Sequence, residues 1–284
     1  MTYRDLLKQG ICILQGKSTP ELDARCLLLH ASGLREEDLL RNPDKFVPAT
    51  VCRCFRRFLN RRAAGCPVAY IVGKKHFWKD EFRVGRGVLI PRPETELIVE
   101  AVLRLRSPET RRVADMGTGS GNIVLSLARE MPDVDFFGVE RSRRALNYAI
   151  SNRRRLALPN VRFLKGEWFQ PFSAQGWNDF DFVLSNPPYV SAGDWMTLEK
   201  GVRHFEPRPA LVPGESGLEA LSHLACRSPA FLRRGGFLVV EMGYGQKSDV
   251  LNLFEKNWNS VTVENDLNDI PRILIAQKAA TSSF

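Results

Sequence analysis

Phe180-Asp181-Phe182-Val183-Leu184-Ser185-Asn186-Pro187-Pro188-Tyr189 is the segment around which the other motifs of this chain fall into order. An apolar run, half aromatic or β-branched and closed by two prolines, reads as a buried strand over 181–186 that must stop at Asn186. Neither proline can donate a backbone hydrogen bond and each holds φ near −65°, so the Asn186 and Pro187 carbonyls leave the ladder in a rigid turn. These acceptors suit a planar NH₂ group. One hydrogen can go to the Asn186 side-chain oxygen and the other to the Pro187 carbonyl, with Tyr189 as a flat wall. An amide or arylamine nitrogen is a poor nucleophile because its lone pair is delocalised. Two acceptors on its protons push it toward a tetrahedral geometry and bind it more strongly as positive charge develops. A plain proline turn would explain Pro-Pro alone. Asn before and Tyr after, at a strand's end, favour catalysis by Asn186, Pro187 and Tyr189.

Around this strand the pattern from Arg111 onward alternates between strand and helix. Strands are expected at Val113–Met116, Asp135–Glu140, Val161–Lys165, Asp181–Asn186, Phe237–Met242, a short one near Val261–Val263, and Arg272–Gln277. Helices are expected near Gly121–Met131, Ser142–Arg155, Leu218–Leu232 and Gln246–Trp258. Such alternation implies an α/β fold with a mostly parallel sheet covered on both faces and ligands at the carboxyl ends of its strands.

Asp115-Met116-Gly117-Thr118-Gly119-Ser120-Gly121-Asn122 follows the first of these strands. Glycines let the backbone approach a ligand closely. Asn122 stands where a dinucleotide fingerprint wants glycine or alanine, and no Gly-Lys-Ser/Thr closes a phosphate loop, so pyrophosphate binding is disfavoured. Glu140 ends the second strand, where a carboxylate can accept both ribose hydroxyls. A nucleoside site without a diphosphate suits S-adenosylmethionine. Its methyl donor would face the amine clamp, because the first and fourth strands are neighbours where the sheet order reverses. Alignment of nitrogen, methyl carbon and sulfur would then carry the reaction without an assigned general base.

The 284 residues carry a formal charge of +9, and residues 1–85 hold 16 Lys and Arg against 9 Asp and Glu. A basic end fits an acidic or nucleic-acid-bearing partner, or simply a solvated face. No apolar run approaches a membrane span and the first residues lack a signal-peptide pattern, so the expected location is cytoplasmic. The six cysteines show no C-x-x-C spacing, and no metal site is expected. Thr19-Pro20-Glu21 opens a helix that Gly33 can end, and a second helix is expected from about Pro48 to Ala64. Its apolar stripe is Val51, Phe55, Phe58, Leu59 and Ala63; its other face carries Arg53, Arg56, Arg57, Arg61 and Arg62, a docking surface or a solvated face. Residues 67–90, with Ala69-Tyr70-Ile71-Val72-Gly73, Phe77-Trp78 and Phe82-Arg83-Val84, read as a hairpin-bearing connector. The prolines of Leu89-Ile90-Pro91-Arg92-Pro93 delay the next helix to about Glu94. The expected organisation is a helical substrate-recognition domain at 1–66, a connector at 67–93 and a catalytic domain at 94–284.

Pro91-Arg92-Pro93-Glu94-Thr95-Glu96, the loop 117–121, Asn186-Pro187-Pro188-Tyr189 and Phe205-Glu206-Pro207 with Ala210-Leu211 occur here in an order that resembles the protein-(glutamine-N5) methyltransferases of peptide chain release factors. The likeness runs from Gly65 to about Gly243; in the first sixty residues only helical character agrees. It implies a Rossmann-like class I methyltransferase sheet of seven strands, S-adenosylmethionine as cofactor, S-adenosylhomocysteine as product, and the glutamine of a release factor's Gly-Gly-Gln tripeptide as substrate. By position, Gly117, Thr118, Gly119, Ser120 and Gly121 would line the cofactor's methionine part, Glu140 its ribose and Trp168 its adenine. Asn186 would touch both cofactor and substrate. Pro187, Pro188 and Tyr189 would hold the glutamine amide, Arg92 and Pro93 would approach the substrate, and Glu206-Pro207 would support them. Two positions depart from the family: Met116 stands where Leu is usual, and Gly166-Glu167-Trp168 lacks a frequent Asp.

Two other readings share these residues. A methyltransferase for adenine N6 or guanine N2 would use the same clamp on a flipped or single-stranded base. Nucleic acid is not required by the sequence, which shows no aromatic-rich basic stripe. A non-catalytic module that keeps the fold to bind a release factor or RNA would have little reason to retain the glycine loop, Glu140 and the clamp together.

Overall fold

The computed structural model describes residues 1–254 and 258–279. Five helices open the chain: α1 (Tyr3–Ile13), α2 (Pro20–Ser32), α3 (Glu36–Arg41), α4 (Ala49–Ala63) and α5 (Val68–Val72). A hairpin of β1 (Lys74–Phe77) and β2 (Asp80–Arg83) follows, and then a 3-10 turn, Pro93–Thr95, leads into α6 (Glu96–Leu105). The alternating part runs β3 (Arg112–Met116), α7 (Asn122–Glu130), β4 (Asp135–Glu140), α8 (Arg143–Leu156), β5 (Val161–Lys165), α9 (Gln170–Gln175) and β6 (Phe180–Ser185). It ends with α10 (Lys200–Phe205), α11 (Glu219–Arg227), β7 (Leu232–Glu241), α12 (Lys247–Asn252), β8 (Trp258–Asn265) and β9 (Pro271–Lys278). The chain forms two compact units, residues 1–74 with 199–205, and 75–198 with 206–284.

In the first unit α1, α2 and α4 bury Leu6, Leu27, Leu28, Phe55 and Leu59. A Cβ on Gly10 would lie 2.7 Å from the Phe55 ring, so α1 needs glycine where it meets α4. Thr2 caps α1 in a capping box with Asp5. Thr19 makes no side-chain cap; its hydroxyl donates to Asp23, which also accepts from Arg62 Nε at 2.6 Å. That buried ion pair joins α2 to α4. The basic face of α4 is therefore mixed: Arg62 holds the bundle, Arg61 reaches the Tyr70 carbonyl at 3.5 Å, and Arg53, Arg56 and Arg57 are exposed.

The second unit is built on a seven-stranded sheet of order β5-β4-β3-β6-β7-β9-β8, antiparallel only where β9 pairs with β7 and β8. Strand β3 lies beside β6, with Val113 opposite Phe182 and Asp115 opposite Leu184, so the sheet order reverses between them as expected. Both faces are covered. One core holds Val99, Val113, Val124, Phe136 and Phe182; the other holds Ala114, Phe137, Phe172, Val183 and Leu221.

Some boundaries differ from the sequence expectation. Residues 68–72, grouped with the hairpin connector, are helix α5, capped by Gly73 at φ 81°. The helix expected over 218–232 ends at Arg227, because Pro229 lacks an N–H, and Leu232 already belongs to β7. The helix expected over 246–258 is α12 only; residues 255–257 lie outside the described residues, and Trp258 starts β8. The expected strand at 261–263 is eight residues long, 258–265.

Candidate active site

Strand β3 delivers the chain to its glycine turn at the sheet's carboxyl edge. Gly117 (φ 70°) and Gly119 (φ 57°) adopt the left-handed conformation. A Cβ at Gly117 would meet nothing within 4 Å, and one at Gly119 only the Gly117 carbonyl at 3.9 Å, so both open onto a cavity. Gly121 (φ 81°) is left-handed too and has a second reason to be glycine: a Cβ there would sit 2.9 Å from Leu125 Cδ1 and 3.2 Å from Phe163. It packs helix to sheet and does not border the cavity. Thr118 folds its hydroxyl back onto Asp115 Oδ2 at 2.6 Å, and Ser120, also at the cavity, donates to Asn122 Oδ1 at 3.0 Å.

Glu140 ends β4 beside this turn. Its Oε2 accepts from Gly119 N at 3.0 Å and its Oε1 from Ser142 N at 2.7 Å, which holds the carboxylate in one orientation and leaves lone pairs for hydroxyls. Burial raises its pKa and the two N–H donors oppose that rise. Trp168, in the left-handed region at φ 47°, lies 5.5 Å from the His223 ring, and both border the cavity. Glu167 is exposed and paired with Arg141 at 3.4 Å.

Strand β6 ends at Ser185, whose hydroxyl ties it to the Met116 carbonyl at 2.7 Å, so the next residue emerges beside the glycine turn. Asn186, Pro187 and Pro188 border the same cavity as Gly117, Thr118 and Gly119. Asn186 Nδ2 donates to Thr95 Oγ1 at 2.8 Å. Among the described residues neither Asn186 Oδ1 nor the Pro187 carbonyl accepts a hydrogen bond. Tyr189 lines a smaller hollow of about 20 Å³ with Asn186, Pro187, Arg92 and Leu211, and its hydroxyl donates to Glu241 Oε1 at 3.1 Å. Burial and the Glu241 charge push the phenol above its ordinary range. Arg92 borders both cavities and donates to Glu206 Oε1 at 2.6 Å, while Ile90 N donates to Glu206 Oε2 at 3.0 Å. Pro93 starts the 3-10 turn that carries Thr95 and is not part of either lining.

Three participants were not singled out from sequence. Thr95 and Glu241 join Asn186 to Tyr189, with Thr95 Oγ1 donating to Glu241 Oε2 at 2.6 Å. Burial pushes the Glu241 carboxyl up to about 7. Asp115, buried beneath the glycine turn, is likewise pushed up to about 7, with Thr118 opposing the rise. Its Oδ1 has no partner at hydrogen-bond distance, although the Val124 N–H favours its charge. The signal for both acids was a carboxylate in an otherwise apolar strand, Val113-Ala114-Asp115-Met116 and Leu238-Val239-Val240-Glu241.

The main cavity measures about 390 Å³, within the roughly 300–1,000 Å³ of small-molecule clefts. Its open glycine cradle, a fixed carboxylate at one end and an aromatic wall at Trp168 suit a nucleoside with a flexible charged tail.

Residues 5–73 match the PrmC N-terminal domain and residues 109–255 a methyltransferase domain. The release factor glutamine methyltransferase of Aliivibrio fischeri is 37% identical over 280 residues, 98% of each chain. That of Escherichia coli K12 is 34% identical over 278 residues, 98% of this chain and 99% of its own. Among solved structures, the T. thermophilus 16S rRNA N2 G1207 methyltransferase (RsmC) in complex with AdoMet and guanosine superposes with a TM-score of 0.53 at 20% identity, over 72% of this chain and 49% of its own. The catalytic domain of hMettl16 gives 0.52 at 17% identity over 79% and 82%. These two share the fold. The nearly full-length identity to the bacterial enzymes shows more: the chain belongs to the release factor glutamine methyltransferase family.

Proposed function

We propose that this protein methylates the side-chain amide nitrogen, N5, of the glutamine in the Gly-Gly-Gln motif of peptide chain release factors, using S-adenosylmethionine and leaving S-adenosylhomocysteine. Family membership supports the release factor as substrate, and one geometric observation supports the chemistry. Asn186 borders the glycine-lined cavity with its NH₂ tied to Thr95 and its Oδ1 open, next to an open Pro187 carbonyl.

Bound S-adenosylmethionine supplies a sulfonium-activated methyl carbon. Gly117 and Gly119 would admit the methionine portion against bare backbone, Glu140 would accept the ribose hydroxyls, and Trp168 would flank the adenine. Asn186 Oδ1 and the Pro187 carbonyl would accept the two amide protons of the glutamine. As the nitrogen becomes positive those protons become stronger donors, so the clamp binds the transition state better than the ground state. Tyr189, held by Glu241, would wall the amide from the smaller hollow. The fixed Arg92 and Ile90 strap would border the incoming peptide. No side chain need take the proton before methyl transfer, since the amide nitrogen can lose it afterwards.

The test is transfer of a labelled methyl group to a recombinant release factor. One methyl per chain is expected, and none once the Gly-Gly-Gln glutamine is changed to glutamate. Labelling of RNA with an unlabelled release factor would overturn the reading in favour of an exocyclic base amine.

A further inference from the structure

We infer that Thr95 and Glu241 are positioning residues that decide which end of the Asn186 carboxamide faces the methyl acceptor. A carboxamide is nearly symmetric in shape and opposite in hydrogen bonding at its two ends. Turned by 180°, Asn186 would offer protons where the clamp needs an oxygen. Shape alone cannot prevent that.

The hydrogen-bond chain behind it can. Glu241, at the end of β7, is buried (1% exposed) and accepts from two hydroxyls, Thr95 Oγ1 at 2.6 Å and Tyr189 Oη at 3.1 Å. An ionised carboxylate donates nothing, so the single Thr95 hydroxyl proton is committed to it. Toward Asn186, at 2.8 Å, Thr95 can then present only a lone pair. Nδ2 meets that lone pair; Oδ1 would be repelled by it. The carboxylate thus sets the polarity of the amide through one intervening hydroxyl, and Oδ1 is the end left without a protein partner among the described residues, at a residue that borders the cavity. Register places the parts: Ser185 pairs with Val240, so the following residues Asn186 and Glu241 leave adjacent strands side by side.

Protonation would undo the arrangement. A protonated Glu241 can donate to Thr95, whose own proton is then free to hold Oδ1 and reverse Asn186. The Glu241 carboxyl is pushed up to about 7 by burial. The charged groups acting on it are Arg272 of β9, which pairs with Asp266, and Glu94 of the 3-10 turn; Arg92 acts on its neighbour Tyr189.

The inference rests on the proposed amide clamp, and its test separates the two. Turnover is measured for wild type, Thr95→Val, Thr95→Ser, Asn186→Ala and the Thr95→Val/Asn186→Ala double variant, with cofactor affinity by calorimetry. Thr95→Val should lower kcat by about 10- to 100-fold with cofactor Kd unchanged, and Thr95→Ser should restore most of it. The double variant should match Asn186→Ala. Wild-type kcat should fall as pH drops below about 7, and Thr95→Val should lack that limb; a limb arising from Asp115 would remain. A double variant showing the product of both losses, or no rescue by serine, would overturn the inference. Should the wild type label a base amine and not the release factor, the substrate reading fails and the same comparison is made on that amine. Independent of any substrate, hydrogen exchange of the Asn186 side-chain NH₂ by NMR should quicken in Thr95→Val, and in Thr95→Ala if the valine variant does not fold. Equal exchange in wild type and variant would overturn the inference whatever the activity.

Discussion

The glycine turn and the strand-end clamp stand at the carboxyl ends of adjacent strands, β3 and β6, and are made by opposite means. The turn is backbone: two left-handed glycines leave an open cradle, and its conformation is set within five residues of chain. The clamp is a side-chain network whose members lie 91 and 146 residues apart, Thr95 to Asn186 and Thr95 to Glu241. A cradle of backbone is sensitive to any added Cβ and tolerant elsewhere. A relay of hydroxyls and carboxylates is sensitive to the loss or gain of a single proton.

The largest separation of the two should come from Asn186→Ala. Turnover is expected to fall by about 10²–10³-fold while cofactor affinity by calorimetry changes little; loss of both in step would assign Asn186 to the cofactor cradle instead.

Each region also rests on a buried acid, Asp115 under the turn and Glu241 under the clamp, each pushed up to about 7 from ordinary values of 3.8 and 4.5. The native state therefore binds protons that the unfolded chain has released between about pH 4 and pH 7. Stability should fall as pH rises through that window and level off above it. The effect is of order 3–4 kcal/mol per group at most. Thermal melts between pH 5 and pH 8 should show the slope, and Asp115→Asn or Glu241→Gln should each remove part of it. A slope unchanged in both variants would place its origin elsewhere.

Arg92→Ala sharpens the comparison on the clamp side. It leaves buried Glu206 without its cation, and because Arg92 itself is 29% exposed the expected loss is about 2 kcal/mol, below that of a fully buried pair. Denaturant unfolding would show it, together with a raised KM for the release factor; a changed cofactor Kd alone would tie the strap to the cradle. Gly119→Ala should give the smallest effect. Forcing Cβ into the left-handed region costs about 1–2 kcal/mol of folding stability, which denaturant unfolding should show, with kcat at saturating cofactor nearly unchanged.

Where local chemistry dominates, sequence and structure agree closely: β4 and β5 span the expected residues, and Pro20 and Gly33 bound α2. The departures have physical causes. Val68-Ala69-Tyr70-Ile71-Val72 has the β-branched content of a strand, yet Pro67 before it and left-handed Gly73 after it confine it to one helical turn. Strand β8 reads as three residues because its exposed flank is polar; pairing with β9 extends it to eight. Helix α3 carried a legible signal in its acidic first turn, Glu36, Glu37 and Asp38, that the longer apolar patterns overshadowed. In the site, Gly121 shares the motif and the left-handed backbone of Gly117 and Gly119, and its packing against Leu125 and Phe163 is what the motif does not reveal.

The order of residues was enough to establish the alternating sheet, the glycine turn and the proline-stopped strand, since each follows from φ restriction and periodicity over a short span. It did not show that a threonine before α6 and a glutamate ending β7 stand behind Asn186. That pairing depends on strand register and on a dry interior, where a hydroxyl has one proton to give and the buried carboxylate claims it.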